Sequence, residues 1–320
     1  MSRATEKLAK ATIVALGCAA SLLATAGPAS ADNGPHVKEA GAVTDSCAGC
    51  HRVHTAQAPH LLKETQTSLC YTCHGSGATG ANSDVVDGVG YSGEERSGGK
   101  AGALRGGGFA YALIGSDSPS GNGYLGEIPV RATGVAVTST HSVNESAQTA
   151  WGNGEISGEA SYGKAIPLRC GSCHDPHGNG NYRILRPIPR ESGASPGVAI
   201  PDATKKVYTT ANYWEVEDID APGFIADASA WCATCHTRYL ASGHSGREDS
   251  GDAVFAFRHR SDQTSQGSAN CIQCHVAHGS NASMGTYSAG VSNPDGTAAG
   301  PDSRLLRIDN RGVCQMCHDK

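Results

Sequence analysis

CAGCHRVHTAQAPHLLKETQTSLCYTCH, residues 47–74, decides how the rest of the chain is read. Two cysteines separated by two residues and followed at once by histidine occur twice in it, as Cys47-Ala-Gly-Cys50-His51 and Cys70-Tyr-Thr-Cys73-His74. The first copy carries a further histidine three residues on, His54. Outward from this stretch the five-residue unit returns at Cys170-Gly-Ser-Cys173-His174, Cys232-Ala-Thr-Cys235-His236, Cys271-Ile-Gln-Cys274-His275 and Cys314-Gln-Met-Cys317-His318. Twelve of the 13 cysteines lie in these six units, and the remaining one, Cys18, sits near the N-terminus.

The spacing has a mechanical reason. Two thiols three residues apart on one helical turn reach the two vinyl groups of a single haem, and the next residue then places its imidazole under the iron. Zinc-site halves and redox disulfides also use C-x-x-C, but neither requires the residue after the second cysteine to be histidine, as it is six times out of six here. The units therefore predict six covalently bound haem c groups. Their proximal ligands are His51, His74, His174, His236, His275 and His318.

Of the 14 histidines, eight remain for six distal positions: His36, His54, His60, His141, His177, His244, His259 and His278. Methionine cannot compete in number, because Met1 and Met316 are spoken for and only Met284 is left. Units one, three and five extend to C-x-x-C-H-x-x-H, giving His54, His177 and His278. A side chain three residues beyond the proximal histidine stays on the proximal side of its own haem and must serve a neighbour. The next haem along the chain is the expected recipient: His54 for Cys70/Cys73, His177 for Cys232/Cys235 and His278 for Cys314/Cys317. His36, His141 and His259 precede units one, three and five and are expected on those irons, with His60 and His244 left over as ordinary surface or hydrogen-bonding histidines or as ligands exchanged with one of the six or donated to another subunit, His244 being the stronger rival.

Residues 1–31 have the layout of a secretory signal peptide, with Arg3, Lys7 and Lys10, an apolar stretch, and Ala29-Ser30-Ala31 at the end. Cys18 leaves with it. So do three of the 25 basic residues and one of the 30 acidic ones, Glu6, so the net charge moves from −5 to −7 (22 − 29). A mildly acidic, exported chain with no basic patch is a poor partner for nucleic acid. Beyond the leader no apolar run is long enough for a membrane span.

With 38% hydrophobic and 5% aromatic residues and 42 glycines, the chain is short of the side chains that fill an ordinary core. The expected fold is mostly irregular, with short α-helices wrapped around haems and a few short strands, such as Ile128 to Val137, Val207 to Thr210 and Ala253 to Phe257. Residues 75–108 hold 12 glycines and read as irregular backbone or as a close approach to a flat cofactor. Three two-haem segments come after the leader: 32–135 with its glycine-rich insertion, 136–250, and 251–320.

These motifs resemble the doubled C-x-x-C-H family of multihaem cytochromes c, and within it hexahaem surface cytochromes of metal-respiring bacteria. The resemblance implies electron transfer to another redox protein or an extracellular acceptor, from the periplasm or the cell surface. It also implies self-assembly into filaments as one form, in which an N-terminal histidine such as His36 can ligate a haem of the next subunit. Irons closed by imidazole on both faces have no site for substrate, which argues against an enzyme. The competing reading is a multihaem reductase of nitrogen or sulfur oxyanions with one open haem. Such nitrite reductases often carry lysine in place of a motif histidine, and no unit does so here.

Overall fold

A computed structural model of the chain describes residues 36, 44–78, 80–81, 83–90, 104–113, 134–154, 163–205, 223–240, 249–252, 258, 271–298, 300–309 and 312–315. Val207 to Thr210, Ala253 to Phe257 and most of Ile128 to Val137 lie outside them. Among the described residues no helix is long and apolar enough to cross a membrane.

Six short helices mark the six cysteine units: α1 (Thr44–Cys50), α2 (Gln66–His74), α3 (Cys170–Cys173), α4 (Phe224–Cys232), α5 (Cys271–Cys274) and α6 (Gly312–Gln315). The motif itself closes the turn. The histidine N–H donates to the carbonyl of the first cysteine in His51 to Cys47 (2.9 Å), His174 to Cys170 (3.0 Å), His236 to Cys232 (3.1 Å) and His275 to Cys271 (2.8 Å). That is the i to i+4 bond of one helical turn. At α3 the start is also capped, with the Arg169 N–H donating to Ser172 Oγ at 3.1 Å.

Among the described residues the strands are few and short: β1 (Tyr111–Ala112), β2 (Val135–Ala136), β3 (Ser139–Thr140), β4 (Ala147–Ala150), β5 (Lys164–Pro167) and β6 (Gly279–Ser280). They pair antiparallel as β1 with β2, β3 with β6, and β4 with β5. The β3–β6 pairing joins two histidine-bearing stretches that lie far apart in the chain. It brings Thr140 opposite Gly279 and leaves the His141 N–H on the His278 carbonyl at 2.9 Å.

Units one, three and five share a longer local structure. After each, the chain returns antiparallel to it, bridging His51 with Leu62, His174 with Leu185 and His275 with Leu306. The return begins with two consecutive left-handed residues, His60-Leu61 (φ 62° and 59°), Arg183-Ile184 (51° and 52°) and Arg304-Leu305 (52° and 62°). Such backbone costs about 1–3 kcal/mol per residue outside glycine and persists only when its surroundings hold it. Here flanking bonds do so: Lys63, Arg186 and Arg307 donate their N–H to Cys50, Cys173 and Cys274 at 3.1, 2.8 and 3.0 Å. The sequence of the return is correspondingly alike, His60-Leu-Leu-Lys63, Arg183-Ile-Leu-Arg186 and Arg304-Leu-Leu-Arg307.

The apolar core is divided. One cluster joins Ala112, Leu113 and Val276, with Val89, Val137 and Leu305 packed on it. Another joins Ile200, Phe224 and Ala228, with Tyr182, Leu185, Trp231 and Ile272 around it. Trp231 is a packing residue in this second cluster, and its indole N–H donates to the Arg186 carbonyl at 2.7 Å. Within the glycine-rich stretch the tightest approach is to backbone. Gly107 has φ +71°, and a Cβ there would lie 1.8 Å from the Gly279 carbonyl oxygen. Gly107→Ala should therefore destabilise the haem-loaded protein by about 3 kcal/mol or more, through the clash and the left-handed backbone. A thermal melt checks this, and an unchanged midpoint would show that segments 106–108 and 278–280 do not meet.

Candidate functional site

Each described proximal histidine has its Nδ1 engaged. His51 bonds to the His60 carbonyl at 2.9 Å, His174 to that of Arg183 at 2.8 Å, His275 to that of Arg304 at 2.9 Å and His236 to that of Trp151 at 2.7 Å. His74 reaches Ser83 Oγ at 3.3 Å. A carbonyl can only accept, so Nδ1 carries the proton and Nε2 keeps its lone pair for a metal. In units one, three and five that carbonyl belongs to the first of the two left-handed residues, so the strained pair serves to aim an acceptor at the ligand. His60 thus contributes a backbone oxygen, at a position where the other two repeats carry arginine. The recurrence of Leu/Ile-Leu-Lys/Arg after each C-x-x-C-H-x-x-H was the signal for it.

Opposite four of these rings stands a second imidazole. His51 faces His177 with ring centroids 6.2 Å apart, His74 faces His36 at 6.2 Å, His236 faces His141 at 6.2 Å, and His174 faces His278 at 6.5 Å. Two imidazoles bound through nitrogen at about 2 Å on either side of one iron have centroids about 6 Å apart. The donor set fits a haem iron at all four places. Three of the distal rings are themselves tied back through Nδ1: His36 to the Pro176 carbonyl (2.8 Å), His141 to that of Ala277 (2.8 Å) and His278 to that of Gly107 (3.3 Å).

The pairing differs from the one read off the spacing. His74 is met by His36 instead of His54, His236 by His141 instead of His177, and His51 by His177 instead of His36. His174 is met by His278 instead of His141. His177 and His278 face proximal rings of other units, and which unit each meets is set by how later motifs pack. His54 and His60 are exposed, and among the described residues neither faces a proximal ring. His244, His259, Cys317 and His318 lie outside the described residues.

Desolvation lowers the pKa of His141 and His174, and brings His236 down to about 4 and His278 to about 3. Rings held this way are neutral, which is the form that donates to iron. The thiols come together between units. Hydrogen bonding to Cys170, with burial added, raises Cys70, and hydrogen bonding to Cys271, again with burial, raises Cys232. Units two and three therefore meet through their first cysteines, and so do units four and five. Among the described residues no group of three or more histidine, cysteine or acidic side chains is placed to hold a bare metal ion.

The ring planes fall into two classes. His51/His177 and His36/His74 are 12° and 23° apart, whereas His141/His236 and His174/His278 are 48° and 59° apart. Low-spin ferric iron between near-parallel imidazoles gives a less anisotropic electron paramagnetic resonance spectrum than iron between twisted ones. The oxidised protein should therefore show two families of low-spin signal, and a single family would contradict these angles.

Residues 40–79 match the family model described as the doubled CXXCH motif. No curated protein and no solved structure matches the chain. The matched stretch contains units one and two, with His54 and the return at His60-Leu61 between them. A doubled motif of this kind suggests a multihaem cytochrome c in electron transfer, with haem c bound covalently.

Proposed function

We propose that the chain is an exported hexahaem c-type cytochrome that passes electrons along haems closed by histidine on both faces, toward a partner redox protein or an extracellular acceptor. The observation that carries this reading is the second imidazole opposite four of the proximal histidines. Haem supplies one-electron chemistry at iron. At the four pairs the chain's own histidines would hold a haem iron from both faces, seven of the eight rings being fixed by an Nδ1 hydrogen bond, so those irons would offer substrate no place to enter and ligation need not change with oxidation state.

Two measurements on protein exported from a host competent in cytochrome c maturation test the proposal. Intact mass should give the chain from Asp32 plus six haems, and the low-temperature spectrum of the oxidised protein should lack a stoichiometric high-spin ferric signal. One open iron in every molecule, with turnover of nitrite or tetrathionate by a reduced dye, would replace the carrier reading with a reductase.

A further inference from the structure

We infer that each internal C-x-x-C-H-x-x-H segment is a junction serving three haems: its first histidine ligates its own iron, its outer histidine ligates the iron two motifs upstream, and the carbonyl between them fixes the distal ligand of the even-numbered haem just upstream. The inference rests on the reading of the motif histidines as haem ligands and adds which iron each one serves.

The same four-residue layout occurs twice. In residues 174–177, His174 belongs to unit three, His177 faces His51 of unit one, and the Pro176 carbonyl holds Nδ1 of His36, whose ring faces His74 of unit two. In residues 275–278, His275 belongs to unit five, His278 faces His174 of unit three, and the Ala277 carbonyl holds Nδ1 of His141, whose ring faces His236 of unit four. Two separate stretches of chain, 101 residues apart (275 − 174), make the same three connections in the same order. The helix contacts match this, α2 packing on α3 and α4 on α5, so each of these even units packs on the odd unit after it.

Backbone geometry explains why the arrangement repeats. A ring at the proximal histidine and another three residues on point to different irons, while the peptide between them exposes one carbonyl. The left-handed pair after each segment locks the first ring through its Nδ1. The outer ring is then free to reach across to the preceding segment. Neither of the first two two-haem segments completes its own coordination: unit one needs His177 from the second, and unit three needs His278 from the third.

The test moves one ligand and asks which haem notices. His278→Met in the full-length haem-loaded protein should replace one imidazole of six distal positions by a thioether, giving the near-infrared sulfur-to-iron band of methionine ligation. Combined with Cys170→Ala and Cys173→Ala, which remove the unit-three haem, the band should vanish. Combined with Cys314→Ala and Cys317→Ala, which remove the unit-six haem, it should persist. The reverse outcome, or a haem-replete His278→Met protein with an unaltered low-spin spectrum, would overturn the junction. His177→Met with and without Cys47→Ala/Cys50→Ala repeats the test at an exposed ring (77% side-chain exposure), where folding is least disturbed. A chain exported without any haem would instead remove the cytochrome reading on which the inference stands.

Discussion

Chain produced without haem attachment is expected to show no cooperative thermal transition, no fixed tertiary circular dichroism and rapid proteolysis, while the haem-loaded protein melts cooperatively. The buried apolar residues among those described number twelve, four of them alanine, and two of their groupings are three-residue clusters. Helices of four to nine residues cannot stand without packing, and two-stranded ladders are marginal in water. On the proposed reading, porphyrin faces between the paired imidazoles would supply the missing apolar mass, and ligation by distant histidines would close long loops that the unfolded chain leaves open. A sharp melt from haem-free chain would show that the polypeptide core suffices and that the cofactors are passengers.

Phe224→Ala should lower the stability of the loaded protein by about 3–5 kcal/mol, read as a fall in thermal midpoint with haem content unchanged by mass. Phe224 is 0% exposed at the start of α4, packed with Ile200 and Ala228, and Tyr182 meets its ring edge-on at 5.1 Å and 84°. Tyr182 immediately precedes the return of unit three and Leu185 lies in it, while Trp231 and Cys232 end α4, so this one ring ties units three and four together. Phe224→Leu should recover most of the loss. A midpoint within a degree or two of the parent would mean that the cluster is not where the units are joined.

What could be read from residue order and what could not divide along a physical line. Thiol and proximal positions follow from one helical turn, which five consecutive residues determine. The departure of His54, His177 and His278 from their own irons also follows from local geometry. Their destinations do not, because a ring facing His51 comes from 126 residues downstream (177 − 51), and nothing near His51 encodes that choice. Spacing favoured the next haem along; packing of β3 on β6 and of unit three against unit one places the partners elsewhere. The return segments were legible in principle, since Leu/Ile-Leu-Lys/Arg comes after each extended motif. Left-handed leucine, isoleucine and arginine carry no glycine or proline punctuation, however, so their turn leaves no compositional mark. The glycines at 106–108 did signal a tight approach, though to the peptide of Gly279 where a flat cofactor was one of two expectations.

If the chain is exported and loaded with haem as proposed, the meeting of Cys70 with Cys170 and of Cys232 with Cys271 would set an order of events during biogenesis. Sulfurs from separate motifs at such range, left uncapped in an oxidising compartment, would cross-link into products that no porphyrin can enter. Each would then have to be consumed by its vinyl group while the polypeptide is still extended, so that loading precedes collapse, and the imidazole that faces His51 would come only when residue 177 arrives.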